Sequence, residues 1–317
     1  MVRWRAGTAR TSAGVVFAAA WLAVAACEEG RRARPSDGAE EPAGAVIVID
    51  DAGREIRLPR PAQRIVSLVP SVTETIVVLG AADRLVARTR YDLDAALADL
   101  PSLGGGLDPS VEAIVDLAPD LVVAWNARDD RILGPRLRAA GIPVYSAEIQ
   151  DTTAIFSTFD RIGRLTGRRA AADSLAAALR DSLRAVAADV PPGHRPTAIY
   201  LIVGDPPRVA GAMTFIGQAL AVAGADPAFP DLAEPWPTVS LESVVARDPE
   251  LVVLPIGEEL VGREDLERRP GWRDLPAVRA GRVVEVEADL LARPGPALGR
   301  AARELRRGLS TIREENR

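Results

Sequence analysis

The chain has one cysteine, one histidine and no lysine in 317 residues. A lone Cys27 excludes intrachain disulfides. A lone His194 argues against a zinc or manganese site built from several histidines and carboxylates. Aromatic residues make up only 4% of the chain, so each one that falls near a candidate site carries weight. Basic charge falls short of acidic charge, 39 arginines against 44 Asp and Glu, for a formal net charge of −5. That balance offers no electrostatic footprint for nucleic acid. The usual catalytic signatures are missing as well: there is no G-x-S-x-G elbow, no P-loop and no G-x-G-x-x-G after a strand. Gly104-Gly105-Gly106 runs into Leu-Asp-Pro, without phosphate-loop spacing. His194 sits in a PPGHRP turn, a poor place for the base of a serine nucleophile, and reads as a solvated loop residue. An enzyme is therefore not expected, nor a resident metal or cofactor.

What is present points to a globular protein of two ordinary domains: 48% hydrophobic and 26% charged residues over a length that can enclose two cores. Residues 1–27 stand apart. Arg3, Arg5 and Arg10 precede an apolar run at 15–26 that is short for a membrane span, and the run ends in Val24-Ala25-Ala26-Cys27. This resembles a lipoprotein signal with its lipobox, in which Cys27 becomes the acylated N-terminus. The plainer alternative is an ordinary signal peptide with an incidental cysteine. Residues 28–45 are charged, rich in Pro, Gly and Ala and without apolar period, as a flexible tether would be.

The folded part repeats itself. Residues 108–125 (DPSVEAIVDLAPDLVVAW) and 238–255 (TVSLESVVARDPELVVLP) share seven of eighteen positions without a gap. Each copy reads as a serine N-cap, a short apolar-periodic helix, a proline stop and a buried β-branched strand. Such a duplication predicts two similar α/β lobes rather than a short-period solenoid. It also places Glu112 and Glu242 at the same position on each lobe.

Alternating strand and helix patterns predict parallel sheets with helices on both faces. In the first lobe (46–150), strands are expected at 46–50, near 55–58, and at 64–70, 85–89 and 142–148. A helix over 71–82 would be capped by Ser71 or Thr73 and closed by Gly80, and another is expected over 131–141. Residues 151–193 show only helical spacing, about 35 residues and about 50 Å if continuous, enough to link two lobes, with Gly167 as a candidate break. The second lobe (194–317) adds strands at 197–204 and 282–287 and helices at 214–224 and 297–314.

The stretches RIVSLVPSVTETIVVLG, SVEAIVDLAPDLVVAW, PWPTVSLESVVARDPELVVLP and RPGP (293–296), in this order, resemble the helical-backbone substrate-binding proteins of ABC importers, which take up cobalamin, ferric siderophores and haem. The resemblance covers about residues 46–312. It is greatest to the cobalamin-binding branch, through residues 86–91, Trp125 and Pro235-Trp236-Pro237. It implies two Rossmann-like lobes joined by one long backbone helix. Its bearer would be a monomeric, lipid-anchored protein of the periplasm or cell surface, capturing a corrinoid between the lobes and delivering it to an ABC permease dimer with its ATPase subunits. In such receptors one exposed acid per lobe docks into arginine-lined pockets of the permease, and Glu112 and Glu242 occupy those positions. First-turn glutamates are also what a helix dipole favours unaided. Tyr91, Trp125 and Trp236 match aromatic ligand contacts and Arg293 a polar one, with Phe215 as a further aromatic near the cleft. Plain packing is the lesser alternative for each of these aromatics. The sequence departs from that branch where the Gly104–Gly106 loop replaces a tryptophan and where Leu290 and Leu291 replace aromatics. Trp272 reads as structural. Two other ligands fit the same family: a ferric siderophore met by Arg88, Arg90, Arg208 and Arg293, or haem ligated by Tyr91 or Met213.

Overall fold

The computed structural model describes residues 44–105, 109–126, 133–202, 206–257 and 262–315. Residues 1–43, with the expected leader, Cys27 and most of the expected tether, and Gly106 lie outside them. The described chain opens with an antiparallel hairpin, β1 (Val46–Ile49) and β2 (Glu55–Leu58). Buried Asp50 shapes its turn by accepting hydrogen bonds from the backbone N–H of Ala52 at 3.0 Å and of Arg54 at 2.7 Å.

The first sheet contains β3 (Ile65–Ser67), β4 (Leu85–Ala87), β5 (Leu121–Trp125) and β6 (Val144–Ala147), all parallel in the order β4-β3-β5-β6. Helices α1 (Pro70–Val78), α2 (Val111–Asp116) and α3 (Gly134–Ala139) lie between its strands in sequence. After α4 (Thr152–Leu165) and α5 (Arg169–Ala188) the chain builds a second sheet. Its strands are β7 (Thr197–Ile202), β8 (Arg208–Val209), β9 (Asp226–Pro227), β10 (Leu251–Ile256) and β11 (Val283–Glu287). The order is β11-β10-β7-β8 with β9 also on β7, and only β8 runs antiparallel. The helices of this part are α6 (Phe215–Ala223), α7 (Leu241–Arg247), α8 (Arg263–Arg268), α9 (Pro276–Arg279), α10 (Ala288–Leu291) and α11 (Leu298–Glu315). Two α/β domains with parallel sheets result, as the alternating pattern predicts. No helix among the described residues is long and apolar enough to cross a membrane.

Two expectations need correction. The segment 151–193 is not one helix but two. Gly167, at φ 63°, turns the chain left-handed between α4 and α5, a conformation that suits glycine. The linking element is thus α5 alone, 20 residues and about 30 Å rather than about 50 Å. The two helices approach closely because small residues face each other: a Cβ on Gly163 would stand 2.5 Å from that of Ala172. Helix α1, second, has no side-chain cap. Pro70 opens it with a φ already suited to helix. The Thr73 hydroxyl instead donates to Ser67 Oγ at 2.9 Å.

The central strands β5 and β10 are apolar throughout because both faces of their sheets are covered, whereas edge strand β11 alternates, with Glu285 and Glu287 exposed. Outward faces are closed locally, as where Ile114 and Leu137 cover Val122 and where Trp272 joins Val244 and Val252. Trp272 is 6% exposed, the structural role expected of it. The inward faces share one continuous core that runs from Val123 and Tyr145 through Ala172, Leu179 and Leu305 to Val253 and Val286.

The repeat is real in three dimensions. Ser110 Oγ accepts from Ala113 N at 3.1 Å, and Ser240 Oγ accepts from Ser243 N at 3.2 Å. Both helices then end on a non-glycine residue with positive φ, Ala118 at 45° and Asp248 at 44°, just before the matched prolines.

Candidate functional site: a cleft between the two sheets

Strands β5, β6, β7 and β10 bring their C-terminal ends to one cavity of about 910 Å³, mostly apolar and near the upper size of small-molecule pockets. The first domain contributes Trp125 at the end of β5 with Asn126 after it, and the segment from Ala147, the last residue of β6, to Gln150. The second contributes Tyr200, Arg208, Phe215, Trp236 and, from α10, Leu291. Trp236 is half-buried and meets the Phe215 ring edge-on at 5.9 Å. Neighbouring hydrogen bonds tie the two sides of the cleft: Phe215 N to Gln150 O and Thr152 N to Gln218 Oε1, both 2.8 Å.

Trp125, Trp236 and Phe215 all line this cavity. Tyr91 and Arg293 do not line the cavity. Tyr91 is 50% exposed, and its backbone carbonyl accepts a hydrogen bond from Arg293 Nη2 at 2.8 Å. Arg293 also pairs with Asp289 at 3.2 Å, so it joins the two domains as a strap. Of the four arginines considered for an anionic chelate, only Arg208 lines the cavity, and Met213 lies outside it, 69% exposed.

Sequence reasoning missed Asn126, Glu148, Gln150 and Tyr200. Their only signal was position, just past or within strands whose C-terminal ends face a cleft. Tyr200 is buried, which pushes its phenol well above the ordinary range and keeps it neutral. Glu148 Oε2 accepts from Asn126 Nδ2 and Oε1 from Gln150 Nε2, each at 2.5 Å. Among the described residues no group of three or more His, Cys, Asp or Glu could hold a metal ion.

Glu112 and Glu242 sit in the first turns of α2 and α7, both exposed. A hydrogen bond from its own backbone N–H and one from the capping serine hold each carboxyl below the ordinary value. Arg136 adds a 2.6 Å ion pair at Glu112, whereas Glu242 has no ion pair among the described residues. His194 is less free than expected, since its Nε2 lies 2.8 Å from Glu250.

The model of the periplasmic binding protein family matches residues 65–290, from the first sheet through the last strand of the second. The chain belongs to this family. Periplasmic binding proteins of this kind are the substrate-binding parts of ABC transporters, not enzymes, and they work with permease and ATPase components. The cobalamin-binding protein of Halobacterium salinarum is 33% identical over 262 residues, covering 78% of this chain and 70% of its own. The ABC transporter substrate-binding lipoprotein YvrC of Bacillus subtilis is 29% identical over 269 residues, 82% and 84% of the two chains. An ABC-type Fe3+-hydroxamate transport protein of Saccharomonospora viridis superposes with a TM-score of 0.72 at 25% identity, covering 83% of this chain and 98% of the other. This periplasmic binding protein thus has relatives named for different metal chelates on one fold.

Proposed function

We propose that this protein captures cobalamin or a related corrinoid in the inter-domain cleft. The observation that carries the reading is the cavity lining: two tryptophans from opposite domains, a mostly apolar surround and a small polar set. A corrin is a large, largely apolar disc with an amide fringe, and flat amphipathic side chains bury such a face at low entropic cost. Its cobalt brings its own ligands. Haem would need an axial residue, and among the described lining residues the cavity offers Tyr200 alone, whose burial opposes the phenolate that would bind iron. A ferric siderophore is the second reading, favoured by the Arg208 side chain at the cavity. The H. salinarum relative named for cobalamin supports the first.

Delivery follows from the surface. Glu112 and Glu242, matched by the repeat and ionised by their helix starts, are suited to dock on the two halves of a permease dimer. Charge at such a rim sets orientation and encounter rate more than affinity. Cys27 would carry the lipid that holds the protein at the membrane, and the B. subtilis lipoprotein relative supports that anchor. The shared core predicts small closure on binding rather than a wide hinge. Tryptophan fluorescence tests the ligand assignment. Cyanocobalamin should quench emission saturably, with less quenching in Trp125→Phe and Trp236→Phe. Quenching unchanged in both variants would remove the cleft from the binding event.

A further inference from the structure

One wall of the cleft has a chemistry that neither the tryptophans nor the docking glutamates explain. Glu148 lies beyond β6 on the cavity surface, exposed and without an ion pair among the described residues. Each of its oxygens is held by one amide N–H, from Asn126 and from Gln150, both at 2.5 Å. A carboxylate has about four lone-pair sites, so about two remain for another donor. Its backbone is fixed as well: Glu148 N donates to Asp51 Oδ2 at 2.8 Å, and Asp51 is held by Arg161. The bond to Glu148 also sets the Asn126 amide, turning its Oδ1 away. That oxygen is buried, yet no donor among the described residues reaches it. The wall therefore offers the Glu148 carboxylate as an acceptor, while the arginine among the described lining residues, Arg208, belongs to β8 in the other domain.

We propose that Glu148, positioned by Asn126 and Gln150, is the specificity-determining residue of the cleft, selecting chelates fringed with neutral N–H donors over chelates fringed with carboxylates. The inference rests on the cleft being the ligand site and extends it to ligand class. A primary amide meeting Glu148 makes a charge-assisted hydrogen bond, roughly twice as strong as a neutral one. A ligand carboxylate at the same place meets a like charge with no cation beside it.

The test uses the full-length chain in detergent and compares cyanocobalamin with its monocarboxylic derivatives, each with one side-chain amide hydrolysed to the acid. Wild type should prefer the amide form. Glu148→Gln keeps shape and hydrogen-bonding reach but removes the charge. It should weaken cyanocobalamin about tenfold, strengthen at least one monocarboxylate, and leave thermal unfolding unchanged. An amide-to-acid preference identical in wild type and Glu148→Gln overturns the proposal. Should wild type bind no corrinoid at all, the ligand reading fails by itself. The same comparison then runs with haemin against its bis-amide, where an unchanged ratio again overturns the role of Glu148.

Discussion

Replacing Trp236 by alanine should weaken ligand binding far more than replacing Tyr91, although both aromatics stand out equally in the sequence. Trp236 lines the cavity, propped edge-on by Phe215 at 5.9 Å. A disc covering roughly 100 Å² of an indole that buries about 150–250 Å² in full contact contributes about 2.5 kcal/mol at about 25 cal/mol per Å², or about 70-fold in Kd. The Phe215 contact, worth about 0.5–1.5 kcal/mol, is lost from the free protein as well, so it shows as reduced stability rather than reduced affinity. Tyr91 is half exposed and lies outside the lining, and Arg293 holds its carbonyl rather than its ring. Tyr91→Ala should therefore keep the strap and change Kd by less than about threefold, within the range of a peripheral contact. Calorimetric titration of both variants, with urea unfolding to separate stability, gives the comparison. Equal losses for the two would refute the reasoning, because the binding surface would then extend to the cleft mouth.

Reversing both charges, Glu112→Arg with Glu242→Arg, should abolish transport in membranes carrying the permease while leaving ligand affinity unchanged. Lost affinity in the double variant would contradict the separation of docking from binding. Because both carboxyls sit below their ordinary value of 4.5, they stay ionised as pH falls from neutral to about 5. Docking measured by surface-bound permease should be flat over that window. Glu250 is also lowered: partial burial opposes ionisation, but hydrogen bonds from His194 and the Thr197 backbone outweigh it. A depressed carboxyl contributes stability above its unfolded value that is lost as pH falls through its folded one. Glu250→Gln should therefore lower stability at neutral pH and flatten the acid limb below about pH 4.5 in urea melts. Gly163→Val should destabilise by about 1–3 kcal/mol through overpacking of α4 on α5, since even a Cβ would meet Ala172 at 2.5 Å. Unchanged urea midpoints would show that the two helices tolerate separation.

The repeated helix–strand unit was legible because its cues are local: a serine that caps, a first-turn glutamate, a proline after the helix and a β-branched run. The same grammar located Trp125 at the end of β5. The turn at Gly167 was visible as a glycine, but whether the chain continues or folds back there depends on Gly163 meeting Ala172, a tertiary contact. Strand β8, two residues long, carries no period at all. Tyr91 and Arg293 were read as ligand contacts, yet neither lines the cavity, and the bond that joins them spans 202 positions. Glu148 escaped notice for a related reason. A glutamate after a strand looks like any solvated loop residue until Asn126, 22 positions away, is seen to hold it.

The assignment of a corrinoid to the cleft is tested most directly by calorimetric titration of the full-length chain in detergent with cyanocobalamin, haemin and a ferric hydroxamate. One-to-one, sub-micromolar binding of cyanocobalamin, with the other two at least about a hundredfold weaker, is the expected result. Tight binding of the hydroxamate or haemin without cyanocobalamin would contradict it, and would transfer ligand recognition from the tryptophan pair to Arg208 or Tyr200.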